Sequence, residues 1–135
     1  MKKVILGATG SIGSSLAKSL VNSGEEVHLV GRDEASLSSL ASELNSSFTT
    51  CDMLDENFSD KILSDLGEIP INGLAYCVGS IDLKPLKLIK KSDFMQSFNL
   101  NLVSAAEIIK ALADNLKQNK GSIVLFSTVA VKQGF

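Results

Sequence analysis

Apolar residues fall along this chain in two alternating rhythms. Short unbroken runs read as strands buried on both faces: Val4-Ile5-Leu6, Val27-His28-Leu29-Val30, Leu74-Ala75-Tyr76-Cys77-Val78 and Ile123-Val124-Leu125-Phe126, with Phe48-Thr49-Thr50-Cys51 a weaker fifth. Between them the spacing widens to one helical turn. Ile12, Leu16 and Leu20 predict a first helix with Gly24 as its stop. Leu37, Leu40, Ala41 and Leu44 predict a second, with Asp33 as N-cap, and Phe58, Ile62 and Leu66 a third. A long helical stretch from about residue 93 to residue 117 carries Leu102, Ala105, Ala106, Ile109 and Leu112. Strands of this kind alternating with helices predict an α/β fold: a doubly wound parallel sheet of about five strands, with helices on both faces. The least regular segment runs from Ser80 to Lys91 around Pro85.

The 135 residues suit one domain, and the net charge of −2 argues against an electrostatic nucleic-acid binder. No apolar run approaches the ~18 residues of a membrane span, and Gly7-Ala8-Thr9-Gly10 cuts the first run too short for a signal peptide. Cys51, Cys77 and the lone His28 lack the spacing of a zinc site or a disulfide framework, so no metal is expected. The expectation is a soluble cytoplasmic chain with reduced thiols and a structural His28.

Chemistry concentrates first in Gly7-Ala8-Thr9-Gly10-Ser11-Ile12-Gly13, where the first strand gives way to the first helix. Glycine there permits positive φ and lets a phosphate reach the main chain, and the helix start offers unpaired N–H groups and a positive dipole end. The spacing is G-x-x-G-x-x-G, not the commoner G-x-G-x-x-G. Leu6 to Gly13 resembles the nucleotide-binding turn of the short-chain dehydrogenase/reductase family, with Ser11 where many members carry glycine. Further segments follow in that family's order. Cys51-Asp52-Met53 resembles its adenine-contacting acidic position, and Leu74 to Gly79 its Asn-Asn-Ala-Gly strand with both asparagines replaced. Asn99 to Ser104 resembles its central Asn segment, and Gly121 to Thr128 the strand leading to its catalytic serine.

The resemblance implies a Rossmann-like dinucleotide-binding domain over residues 1–135. It assigns the cofactor to Gly7, Thr9, Gly10, Ser11, Ile12, Gly13, Asp52, Met53, Val78 and Gly79. The second strand ends in Gly31 and Arg32, not in the acid that would bind a ribose 2′-hydroxyl. Glycine leaves room and a guanidinium pairs with a 2′-phosphate, which favours NADP over NAD. Asp33 keeps NAD open as the lesser reading.

Hydride transfer to a carbonyl, or from an alcohol, is the activity the resemblance implies, with a small-molecule substrate; a reductase of 3-oxoacyl groups on acyl carrier protein is one version. Asn101 is preferred over Asn99 as the family's Asn, and Thr128 over Ser127 as the hydroxyl that orients the substrate oxygen. The family's Tyr-x-x-x-Lys pair is absent: the only tyrosine is Tyr76, with Ser80 four residues on. The expectation is therefore an incomplete enzyme domain, with Val129 to Phe135 as the start of the loop before the missing helix. A non-catalytic dinucleotide-binding sensor and an extended-type sugar-nucleotide epimerase or dehydratase are the alternatives. Lys84, Lys87, Lys90 and Lys91 form a basic cluster, read as a solvated face or a dock for an acidic carrier. Apolar residues on more than one side of 102–116 leave a homo-oligomer seam open.

Overall fold

Strand and helix alternate along the whole chain in the computed structural model, which describes residues 1–80, 83–129 and 132–133. The elements are β1 (Lys2–Leu6), α1 (Ser11–Asn22), β2 (Glu26–Gly31), α2 (Glu34–Leu44), β3 (Ser47–Thr50), α3 (Phe58–Leu66), β4 (Ile71–Tyr76), α4 (Lys91–Phe98), α5 (Ser104–Gln118) and β5 (Ser122–Leu125). All strand pairings are parallel, in the order β3-β2-β1-β4-β5. This is the doubly wound, Rossmann-like sheet expected from the apolar pattern. Successive side chains of β1 point to opposite faces. Val4 and Leu6 pack with Phe58, Ile62, Ile108 and Leu112 of α3 and α5, while Ile5 packs with Ala17, Leu37 and Leu40 of α1 and α2.

Local signals work as the sequence predicts at several ends. Asp33 caps α2 by accepting from the Ser36 N–H at 2.7 Å, and the Ser36 hydroxyl together with this N–H holds its carboxyl below the ordinary value. Gly24 follows α1 at φ +81°, a conformation that glycine adopts without strain.

Two expectations need correction. Ile12 is exposed, and the buried face of α1 is carried by Gly13 and Ala17, because this helix lies too close to the sheet for large side chains at its start. The long helix is two helices, α4 and α5, separated by a π-turn at Asn99–Val103. Its buried stripe is Leu100, Ser104, Ala105, Ile108, Leu112 and Leu116, so Leu102 and Ala106 face outward. β5 lies at one end of the described sheet, with Ile123, Val124 and Leu125 each 43–56% exposed. Of the irregular segment, Ile81 and Asp82 lie outside the described residues, as do Ala130, Val131, Gly134 and Phe135 of the expected terminal loop.

His28 proves to be the centre of an oriented relay across three strands and a helix. Lys2 Nζ donates to Ser47 Oγ at 2.7 Å, and Ser47 Oγ lies 2.8 Å from His28 Nδ1. His28 Nε2 lies 2.9 Å from Thr49 Oγ1, which donates to Asp65 Oδ2 at 2.6 Å. The ammonium at one end can only donate and the carboxylate at the other can only accept. Thr49, its proton committed to Asp65, then accepts from Nε2–H, and Ser47 Oγ can donate to Nδ1 in the neutral ring, the state that burial favours. Burial, with the Lys2 charge adding to it and Asp65 opposing, pushes the His28 pKa down to about 4. A histidine held neutral in the fold contributes stability that is complete above its unfolded value near 6.5 and fades as pH falls toward 4. Between pH 7 and pH 4 the chain is therefore expected to lose about 3 kcal/mol more than a His28→Gln variant, measured by urea unfolding of both.

Candidate functional site

β1 is the point from which the chain winds both ways: β2 and β3 lie on one side of it, β4 and β5 on the other. Crevices that receive ligands in such sheets open at the carboxyl ends of the strands, where the winding reverses. That position is taken by the turn after β1 and by the end of β4. Gly7 has φ +73°, and a Cβ on it would meet the Cys77 carbonyl oxygen at 2.7 Å. Gly13, buried at the start of α1, lies so close to the Gly7 carbonyl that no side chain fits between them.

The turn is held from within by Gly10 N–H donating to the Gly7 carbonyl at 3.0 Å and Ala8 N–H donating to that of Val30 at 3.0 Å. The α1 backbone ladder begins with Ser14 N–H, which donates to the Gly10 carbonyl at 2.9 Å. The amides of Ser11, Ile12 and Gly13 precede it and have no intrahelical acceptor. No side chain caps this helix, and Thr9, Gly10, Ser11 and Ile12 are exposed. A bare helix start beside a cradle that a single Cβ would fill fits a dinucleotide diphosphate.

At the end of β2, Arg32 and Asp52 are brought together, Nη1 to Oδ2 at 3.7 Å. Asp52 also accepts from the Leu54 N–H at 3.0 Å, which shapes the loop after β3. A Cβ on Gly31 would meet only Leu37 and Thr9 side-chain atoms, at 3.5 Å and 3.6 Å, so this position has room for a side chain. Met53 departs from a simple surface contact: its side chain is buried in the core, and its carbonyl accepts from Ser104 Oγ at 2.7 Å.

On the other side of the turn lies a cleft of about 690 Å³. Ile12, Val78, Gly79, Asn101, Ser127 and Thr128 all line it, although they come from four separate parts of the chain. Asn101 Nδ2 donates to the Ser97 carbonyl at 2.9 Å and the Ser80 carbonyl at 3.3 Å, and its Oδ1 accepts from Ser80 N–H at 3.3 Å. Gly79 leaves the space this carboxamide needs, since a Cβ there would stand 3.0 Å from Asn101 Oδ1. Asn99 does not line the cleft, which separates the two candidate asparagines.

The sequence reading missed Ser97 and Ser80 as Asn101's partners. Ser97 carried a signal, standing four residues before Asn101 on a helix; Ser80 carried none. Lys84 belongs to the basic cluster expected as a solvated face or a dock for an acidic carrier. Lys84 and Asp93 form an ion pair at 2.9 Å on the cleft wall, and this bond, with the Lys90 N–H that Asp93 accepts, holds the Asp93 carboxyl below its usual range.

Tyr76 lies outside this cleft. It borders a smaller groove of about 370 Å³ with Leu102, Ala106, Ile109 and the end of β5. Its hydroxyl donates to the Leu100 carbonyl at 2.6 Å, and burial pushes the phenol up to about 12, partly offset by a hydrogen bond with Ser104. Burial likewise raises both thiols, Cys51 to about 11. Among the described residues no three His, Cys, Asp or Glu side chains converge as metal ligands, and no helix is long and apolar enough to cross a membrane.

Resemblance to known proteins extends along almost the whole chain. The family model for short chain dehydrogenase matches residues 2–135. L-fucose dehydrogenase of Oryctolagus cuniculus is 30% identical over 132 residues, taking in 93% of this chain and 46% of that protein. L-xylulose reductase of Mesocricetus auratus is 30% identical over 132 residues, covering 96% of this chain and 53% of that protein. The chain thus spans about half the length of the curated relatives it matches. Among solved structures, a short chain dehydrogenase/reductase family protein matches with a TM-score of 0.91 at 22% identity, over 100% of this chain and 58% of the other. The closed form of serine dehydrogenase complexed with NADP+ matches with a TM-score of 0.90 at 20% identity, over 100% and 57%. These likenesses establish the fold.

The contact between Gly13 and Gly7 yields a direct test. Gly13→Ala forces a methyl against main chain that is itself packed on β4, and is expected to cost about 3 kcal/mol. Gly10→Ala, whose Cβ meets the same carbonyl at 3.3 Å, costs less. Chemical denaturation of the two variants beside the parent checks the order.

Proposed function

The chain belongs to the short chain dehydrogenase family, and from that premise we propose that residues 1–135 form the dinucleotide-binding part of an NADP-dependent oxidoreductase. The observation that carries this reading is the glycine turn at the winding point of the sheet, with the free amides of Ser11, Ile12 and Gly13 beside it. Those amides and the positive end of α1 take the diphosphate, and the close approach at Gly7 and Gly13 lets it sit against main chain. Thr9 and Gly10 complete the rim of the turn. Arg32 pairs with the 2′-phosphate, and Gly31 leaves the space for it. The exposed Arg32–Asp52 pair is weak enough to exchange one anion for another, and Asp52 with the Met53 main chain then faces the adenine.

Val78 and Gly79 form the wall of the cleft that receives the nicotinamide end. When bound, the cofactor supplies or accepts the hydride that interconverts a carbonyl and an alcohol. Asn101 holds the cleft floor through Ser80 and Ser97, while Thr128, with Ser127 as the second candidate, orients the substrate oxygen. The substrate class is a small carbonyl or alcohol, a reading supported by relatives named as L-fucose dehydrogenase and L-xylulose reductase. The NADP+ named in one structural neighbour's title supports the choice of cofactor.

A second reading, dinucleotide binding without turnover, is favoured for the chain as it stands by Tyr76. The only tyrosine spends its hydroxyl on the Leu100 carbonyl, outside the cleft, with its phenol pushed up to about 12, and so cannot act as the proton donor. NADPH mixed with carbonyl substrates and this 135-residue chain is therefore expected to stay unoxidised in an absorbance assay at 340 nm, while still binding.

Titration calorimetry tests the cofactor reading. Arg32→Ala is expected to weaken NADPH about tenfold to a hundredfold, the worth of one charge-assisted hydrogen bond, and to leave NADH unchanged. Gly31→Asp should move preference toward NADH without loss of fold. Equal losses for both cofactors in Arg32→Ala would remove Arg32 from the 2′-phosphate site.

A further inference from the structure

The break between α4 and α5 is a π-turn, Asn99–Val103, in which one extra residue widens the helix. Such a turn disturbs the usual pairing of its carbonyls, and side-chain hydroxyls from the end of β4 and the start of α5 meet two of them here. Tyr76, the last residue of β4, donates to the Leu100 carbonyl at 2.6 Å. Ser104 Oγ stands 2.9 Å from the Asn99 carbonyl and 2.7 Å from that of Met53. Both side chains belong to buried residues, 4% and 3% exposed, where an unpaired carbonyl is costly.

The same turn carries Asn101 into the cleft, where its carboxamide grips Ser80. The segment after β4 is thereby clamped at both ends to one π-turn: Tyr76 to Leu100 and Ser80 to Asn101. Val78 and Gly79, the wall of the cleft, lie between the two clamps, and Gly7 packs on Cys77 and Val78 beside them.

We propose that Tyr76 is a positioning residue, whose hydroxyl, through the Leu100 carbonyl, holds the π-turn that presents Asn101 and the Val78-Gly79 wall to the cleft. Its phenol never ionises in this role, in keeping with its burial. A phenylalanine would fill the same space and leave the Leu100 carbonyl without this donor, so the turn loses a reason to stay wide. The meaning of this for cofactor binding rests on the dinucleotide reading above; the placement of Asn101 does not.

The test is nuclear magnetic resonance of the Asn101 carboxamide, its paired N–H signals identified by their loss in Asn101→Asp. In Tyr76→Phe these signals are expected to shift and exchange faster with solvent, while the amides of β1 and β2 keep their positions. Ile108→Val, a buried methyl deletion one turn along α5, should leave the Asn101 pair where it is. Unchanged Asn101 signals in a folded Tyr76→Phe protein would overturn the proposal. Should that variant fail to fold, 3-fluorotyrosine incorporated at this sole tyrosine makes the phenol a stronger donor without removing it. A shift of the Asn101 pair then supports the proposal, and no shift overturns it.

Binding gives a second readout. NADPH should bind Tyr76→Phe about threefold to tenfold more weakly, the factor carried by one ordinary hydrogen bond, with 2′,5′-ADP unaffected. Equal weakening of both ligands would count against a role confined to the cleft. If the parent chain binds neither ligand, the dinucleotide reading fails, and the Asn101 signals alone still decide the role of Tyr76.

Discussion

The space of a single carbon atom between Gly13 and the Gly7 carbonyl governs this chain. Because nothing stands there, α1 starts directly against the end of β1, and its first amides sit at the carboxyl edge of the sheet. Ala17, one turn further on, keeps the helix close, and the larger Leu16 and Leu20 are pushed to the flanks. The turn also touches the end of β4 through Gly7, so the same close approach defines one side of the cleft. A helix packed at ordinary distance would bury its larger side chains and lift those amides away from the crevice.

Around that contact the site divides into two regions with different physics. Arg32 and Asp52 lie on the surface after β2 and β3, where water screens their attraction and their pairing is readily exchanged. Tyr76 and Ser104 belong to the other region, where hydroxyls meet carbonyls out of water, with the exposed Asn101 carboxamide at its border. Pairing there is close to obligatory, because desolvation makes each missing partner expensive. Ser104 joins the regions: one hydroxyl touches the Met53 carbonyl in the loop after β3 and the Asn99 carbonyl in the π-turn.

How much of this could be read in advance depends on the range of the interaction. The strand runs, the helix around Leu37 and Leu40, the Asp33 cap and the glycine turn are recognisable because each arises from neighbours within a few residues. The π-turn was not. Nothing in Asn99 to Val103 marks a widened turn, and the hydroxyls that meet its carbonyls come from positions 76 and 104, one of them far away in sequence. β5 was recognisable from its apolar run, whereas its pairing beside β4 was settled only in the sheet. His28 looked solitary in the sequence and acquires its partners only when β3 is laid beside β2.

Apolar periodicity and the placement of glycines were sufficient to determine a parallel, doubly wound sheet and the turn on which the site is built. Both express steric and burial rules that act locally, and these survive in any chain long enough to fold. The assembly of Ile12, Val78, Asn101 and Thr128 around one cleft was decided by tertiary structure alone. So were the pairing of Arg32 with Asp52 and the neutral state of His28. Each of these depends on desolvation and on distances across strands, quantities that do not exist until the sheet has formed.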